Sequence, residues 1–420
     1  MRHLLLFTAV AAITACGTAN DDTTAQLPAT QVRDSAGARV VENARPTWSE
    51  DEAWRVGPEP VVRILGSDGG GENLLLDPIS LDVDPDGRII VADGDQAGWD
   101  AILVYDRDGR FLFQAGREGE GPGEFGQLWW ASAYRGDSIV GFDMATDRLN
   151  VFSPEGEFVR QVPRLGLPRR TGPPGTMGFT DGVDAAYDDG HFLAYPGGWF
   201  DLPEGTGLGW TKRELLRMAP DGARWDTLGT FSILEYHWDG SRQRQVLFSP
   251  YPFHAPYGQS FYYGLGESFE IRRYGPTGDL QLVIRKEHRR RPVTDELREQ
   301  FLLWYTEQTT RSVQVTDAMI ERTRRTFDGA PWGDSLPAFS DGFVDSEGYL
   351  WVENYRWMGV SRAPVDGPTV WSVFDSTGVW LGDVETPPGL IVHDATEDRV
   401  YGVVVGEYDV KEIEVYPLVR

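Results

Sequence analysis

The sequence predicts an all-β, six-bladed β-propeller closed by an N-terminal strand, with a small helical insertion between blades four and five. Three observations carry that expectation. The chain holds 49 Gly, 27 Pro and 12% aromatic residues with almost no helix-period pattern, a composition that suits short strands joined by tight turns. A double-hairpin unit recurs along it. The last unit stops half-finished, while an unassigned strand, Val61-Val62-Arg63-Ile64-Leu65, stands ahead of the first.

The N-terminus comes first in chain order. Arg2 and His3 precede an apolar run over residues 4–13, which leads to Ile13-Thr14-Ala15-Cys16. A basic start, a short apolar stretch and small residues before a cut describe a secretory signal, too short to span a bilayer. The site resembles a bacterial lipobox, so residues 1–16 read as a lipoprotein signal and Cys16 as the lipidation site. Gly17 at the next position favours, by analogy with Gram-negative lipoproteins, an outer-membrane destination. Cys16 is the single cysteine, so no internal disulfide is available and packing alone must stabilise the fold. Residues 17–50, rich in Thr, Ala, Asp and Asn, read as a flexible tether, and residues 51–420 as the propeller.

The first hairpin of each unit is an apolar strand, a turn ending in Asp/Glu-Gly or similar, and a second strand. Its copies lie at 81–91, 131–140, 183–194, 253–264, 343–352 and 391–404. Glycine there supplies the positive φ that the turn demands. A second hairpin follows each of the first five, at 105–111, 152–158, 218–225, 274–280 and 374–380. Two hairpins make a four-stranded blade. The sixth unit ends after residues 411–416, which predicts that residues 61–65 complete its sheet and hide an otherwise open edge. A pair of open sandwiches does not generate a repeated double hairpin with a leftover strand at each end. A seventh blade would need strands before Val61, where the sequence is very polar.

Gly116-Arg117-Glu118-Gly119-Glu120-Gly121-Pro122-Gly123-Glu124-Phe125 resembles the linker between blades in NHL-repeat-like six-bladed propeller lipoproteins of bacteria. The resemblance covers blades one and two; only blade one carries the full Asp-Pro-Asp-Gly-x-Ile-x-Val-Ala-Asp pattern, and later blades depart through insertions.

Hairpin glycines are 49 residues apart between Gly87 and Gly136 but 90 apart between Gly258 and Gly348. Most of the excess lies at 293–332. Thr294-Asp295-Glu296, followed by Leu297, Phe301, Trp304 and Tyr305, has a Thr N-cap, an acidic first turn and helical spacing. Thr316-Asp317 opens a second helix carrying Met319, Ile320 and Phe327. The pair is expected to pack on one face of the ring. Lys286, His288, Arg289, Arg290 and Arg291 form a basic run that suits solvent, a partner's carboxylates or lipid headgroups. Residues 195–211, with Trp199, Phe200 and Trp210, read as a mobile aromatic loop.

The formal charge of −26 argues against nucleic acid as a partner, because phosphates are repelled. Membrane contact is expected through the lipid anchor only. Motifs for zinc hydrolysis, a serine nucleophile or a phosphate loop are missing. Aligning the hairpin glycines places Asp82, Asp184, His254, Asp341 and His393 on inner strands as candidate channel-lining groups. Two enzyme groups with six-bladed rings and an axial metal, gluconolactonase-like lactonases and peptidyl-hydroxyglycine amidating lyases, set Glu, Asp, Asn or His near the axis. By that analogy the five residues hold Ca²⁺ or Zn²⁺ in a hydrolase or lyase. The structural reading is that each histidine satisfies a backbone carbonyl. The expectation drawn is a non-catalytic binding or scaffold propeller of the cell envelope that needs no cofactor and holds a peptide, glycan or envelope protein; the metal-dependent enzyme is the alternative.

Overall fold

The computed structural model describes residues 28–66, 75–95, 99–162, 178–179, 182–199, 206–310, 314–356, 367–406 and 410–420. The signal, the lipobox and Cys16 lie outside them.

Six antiparallel sheets follow one another along the chain. Blade one is Pro78–Val83, Ile89–Asp95, Trp99–Tyr105 and Phe111–Ala115; blade two is Leu128–Tyr134, Ser138–Asp143, Arg148–Phe152 and Phe158–Val162. Blade three is Gly182–Ala186, Phe192–Tyr195, Gly207–Met218 and Trp225–Trp238, with Gln243–Gln245 added at its edge. Blade four is Phe253–Tyr257, Ser260–Gly264, Glu270–Tyr274 and Leu280–Lys286, and blade five is Phe339–Val344, Leu350–Asn354, Thr369–Phe374 and Trp380–Thr386. Blade six supplies Ile391–Ala395, Arg399–Val405 and Lys411–Val419. Its fourth strand is Val62–Ile64, which pairs Val62 with Val415 and Ile64 with Ile413. The ring therefore closes with the strand that the sequence left over.

A sheet buried on both faces needs apolar residues at nearly every position, and the inner strands show it in runs such as Ile89-Ile90-Val91-Ala92, all fully buried. Their side chains build six apolar layers, one between each pair of neighbouring blades. Val83, Val91, Tyr401 and Val415 lie in the layer joining blades six and one, and Ile90, Ile102, Phe125 and Ile139 in the layer joining one and two. The others join two to three, three to four, four to five and five to six.

The tether is shorter than the composition suggests. Thr30–Ser35 and Ala38–Asn43 form a hairpin on the outer edge of blade four, where Arg39–Asn43 run parallel to residues 282–286. Ala36 and Gly37 both have positive φ, the geometry of a tight primed turn. The first strand is almost wholly exposed, so its polarity looks like a linker; the second buries Ala38, Val40 and Val41. Beyond the hairpin the chain follows the rim. The Trp48 amide donates to the Leu381 carbonyl (2.8 Å), the Trp54 ring packs on those of Tyr349 and Trp351, and Arg55–Val56 pair with the end of the last strand.

The two helices form where expected, α1 over Asp295–Thr309 and α2 over Asp317–Thr326. The Thr294 hydroxyl accepts from the Leu297 amide (3.3 Å) and caps α1. Thr306 and Thr323 hydrogen-bond between the helices at 2.8 Å. Phe301 packs against Phe248, Phe327 and Trp332, fixing the pair to the chain that enters blade four.

Two expectations about surface segments change. The loop expected at 195–211 is strand from Gly207 onward, part of a long ribbon with residues 225–238, while residues 200–205 lie outside the described set. The basic run is largely a brace. Lys286 sits over the Trp380 ring and pairs with Asp383 (3.3 Å), Arg290 donates to Ser335 (2.8 Å) and Arg291 to the Tyr355 carbonyl (2.6 Å). Burial lowers the Lys286 ammonium pKa despite Asp383 beside it.

Candidate functional site

Strand direction makes the two faces of the ring unlike. Each inner strand starts at one face and ends at the other, so turns between first and second and between third and fourth strands all fall on the far face. Those turns are short. Asp84 and Gly87, Asp106 and Gly109, Asp345 and Gly348, and Asp375 and Gly378 mark them, with the glycine amide donating to the carbonyl three residues back. In each, the Asp carboxylate accepts the backbone amides two and four residues on. Connections between second and third strands, and between blades, fall on the near face. That face carries the helical insertion and the long links.

A cavity of about 1010 Å³ opens on the near face, at the mouth of the channel, lined by five blades and by the approach to blade four. The contributions share one local cause. In blades one, two, three, five and six the inner strand breaks register with its neighbour, between Pro78 and Ser80, Leu128 and Trp130, Val183 and Ala185, Phe339 and Gly342, and Val392 and Asp394. Such a bulge gives one strand an extra residue and re-aims its side chain. The residues skipped by the pairing are Ile79, Trp129, Asp184, Ser340 with Asp341, and His393, and all line the cavity. The inner strand of blade four pairs without a break, and Tyr251 and Pro252, ahead of it, supply that wall.

Asp184, Asp341 and His393 thus meet around one opening. Asp82 does not join them. It pairs with Ile90 in regular register, beyond the bulge, and accepts the Ala133 amide of blade two (2.7 Å). Asp394 makes the matching contact from blade six, accepting the Val83 amide of blade one (3.0 Å). Burial pushes the Asp82 carboxyl up to about 6, and burial together with the Asp82 charge raises Asp394 well above the ordinary carboxylate range. These two carboxylates stitch blades rather than face the opening. His254 also pairs in regular register, and its ring tucks behind the wall with Nδ1 3.3 Å from Asp184 Oδ2. Its Nε2 is buried without a hydrogen-bond partner among the described residues.

Sequence reasoning missed Ile79, Trp129, Tyr251 and Asp394. The adjacent Trp129 and Trp130 held a signal: the bulge separates them. Trp130 is buried and donates its indole N–H to the Val183 carbonyl, whereas Trp129 is 49% exposed in the mouth. Charge on the described residues that line the opening is mostly negative. Asp77, Asp100, Asp184 and Asp341 face Lys411 as the one Lys or Arg in the lining among the described residues, and Lys411 is ion-paired with Asp77. Asp100 accepts the Leu128 amide (2.9 Å). No three His, Cys, Asp or Glu side chains among the described residues converge to hold a metal ion, so the five candidates do not form the proposed Ca²⁺ or Zn²⁺ ligand set.

A family model described as a 6-bladed beta-propeller, DUF5128, matches residues 72–129, from the approach to blade one through the start of blade two. No protein among the curated sequences matches the chain. The fold is similar to that of a DUF4221 family member from Bacteroides vulgatus, 7% identical over 87% of this chain and 99% of that one, with a TM-score of 0.49. It is also similar to a protein from Bacteroides fragilis described as exported, 12% identical over 90% and 99%, TM-score 0.46. A third similar structure is virginiamycin B lyase from Staphylococcus aureus, 10% identical over 87% and 89%, TM-score 0.34. With the closed order of its sheets, the chain is a six-bladed β-propeller.

Proposed function

We propose that the chain is a non-catalytic binding propeller of the cell envelope, anchored through Cys16, that holds a peptide, glycan or protein partner at the near-face mouth. The observation that supports it is the recurrence of the inner-strand bulge: in five blades the break between first and second strands presents a side chain to the same opening. Bulges are common beside binding sites, where they re-aim a side chain, and here the skipped residues share one opening. The rings of Trp129 and Tyr251 give apolar area at small entropy cost, a common way to hold extended ligands.

The test is binding of peptide and glycan arrays by the full chain and by the Trp129→Ala/Tyr251→Ala double variant. Ligands retained by the parent and weakened at least tenfold in the variant support the reading. Retention that the variant leaves unchanged would place binding elsewhere on the molecule. Anchoring is tested separately by labelling with a palmitate analogue, which Cys16→Ala should abolish.

A further inference from the structure

We infer that the near-face rim of blade four rests on an anionic lipid surface, where Arg45, Arg289, Arg290 and Arg291 meet the headgroups. The inference rests on the anchoring part of the reading above and adds to it a second contact with the membrane.

Two stretches far apart in the sequence meet at this rim. The Ala44 amide donates to the Ala29 carbonyl (2.9 Å) and the Glu287 amide to the Asn43 carbonyl (3.0 Å). The start of the outer hairpin, its end and the link that leaves blade four therefore lie side by side, and Pro28, Ala44 and Glu287 line one hollow. Residues 28–45 and 285–291 together hold eight Lys or Arg against three Asp or Glu, in a chain whose formal charge is −26. Salt screens charges separated by more than about 8 Å at physiological ionic strength, so the acidic remainder of the ring acts weakly on this corner.

The positive charge there is also free. Of the three carboxylates, Glu42 is taken up by Arg33 and Arg285. Arg45, Arg289, Arg290 and Arg291 are exposed, and none has a carboxylate within ion-pair distance among the described residues. The braces from Arg290 and Arg291 end on neutral acceptors, the Ser335 hydroxyl and the Tyr355 carbonyl, and leave both charges whole. Guanidinium groups spread along an outer rim suit many phosphates on a plane better than one bound anion. The tether supplies the plane. Cys16 and Ala29 are 13 residues apart, so an anchored chain holds this corner within about 45 Å of the bilayer even at full extension. Because the mouth opens on the same face, a partner held there is met beside the membrane.

The test uses the full chain with Cys16→Ser, which removes the acylation site and leaves the protein surface to bind. It is sedimented with vesicles of phosphatidylcholine alone and with vesicles in which one lipid in three is phosphatidylglycerol. Binding to the anionic vesicles should be at least tenfold tighter, and should weaken at least tenfold between about 0.1 and 0.5 M salt. Adding Arg45→Glu/Arg289→Glu should lower that affinity at least tenfold. Adding Arg110→Glu/Arg224→Glu, the same change of charge in far-face turns, should alter it less than twofold. None of these four side chains makes a hydrogen bond or ion pair among the described residues, so both pairs spare the fold.

Equal binding to the two kinds of vesicle, or an equal loss from the two pairs of substitutions, would overturn the inference. So would displacement by inorganic phosphate under conditions where sodium chloride of the same ionic strength displaces nothing, the mark of a site for a soluble anion. Palmitate labelling of the parent decides the anchor independently. Labelling without a preference for anionic lipid leaves the anchor standing and the rim contact refuted; the preference without labelling upholds the rim contact and refutes the anchor.

Discussion

Asp82 and Asp394 reach across seams in the same sense, each accepting a backbone amide from the next blade round the ring. An unfolded aspartate titrates near ~3.9, so a folded value about 6 means that unfolding lowers the Asp82 pKa. Its contribution to stability is whole below pH ~4 and is lost as pH rises through about 6. Asp82→Asn removes that loss. Thermal melts from pH 4 to 7.5 should show the variant gaining on the parent across this window, and a pH-independent difference would refute the assignment. Asp345 is a buried carboxylate with more partners, although burial still raises its pKa. It accepts from the Trp351 indole N–H (3.0 Å) and the Tyr349 and Glu347 amides, and pairs with Arg420 at 2.7 Å. Arg420 also lies 4.1 Å over the Trp54 ring, joining blade five to the rim segment. Arg420→Ala leaves the Asp345 charge buried with its counterion gone, and denaturant unfolding should show a loss of about 3 kcal/mol.

At the scale of elements, the helical insertion is separable from the blades it interrupts. The Val293 amide donates to the Asp334 carbonyl at 3.1 Å and Pro292 bridges to Ser335, so the ends of the insertion already lie side by side. Replacing residues 294–333 with a short Gly-Ser turn closes a gap that is already narrow. The shortened chain should keep its strand content and the parent's oligomeric state, with a melting temperature within a few degrees of the parent. Loss of the cooperative transition would show that the contacts of Phe301 with Phe248 and Trp332 hold the ring itself. Phe248 has φ +60°, a conformation that costs a bulky residue of order 1–3 kcal/mol, and those aromatic neighbours fix it there.

At the scale of the molecule, stability lies in six layers between blades, so the ring is as strong as its closure. The N-terminal segment contributes twice, as a hairpin that covers the edge of blade four and as the strand that completes blade six. Two truncations separate these roles. Removing residues 1–44 bares the Leu280–Lys286 edge but leaves the closing strand, and light scattering should report self-association of a folded ring. Removing residues 1–66 takes away Val62 and Ile64, opens the layer they share with Tyr401 and Val415, and should abolish the cooperative unfolding transition. Equal behaviour of the two truncations would contradict closure by this strand.

The sequence by itself determined the blade count, the closing strand, the N-cap of α1 and the turn chemistry of the far face. Each is local: an alternation of strand and turn, a glycine where φ must be positive, a Thr ahead of an acidic turn. The outer hairpin at residues 30–43 escaped because a strand exposed on its outer side need not be apolar, and what makes it a strand is the blade four edge far along the chain. The mouth was decided by tertiary structure alone. Asp184, Asp341 and His393 differ from Asp82 and His254 in standing at breaks of register, and register is a relation between two strands, set when the curved sheets close into a ring. A one-residue shift moves a side chain from one face of a sheet to the other. That shift separates Trp129, open to the mouth, from Trp130, sealed between blades.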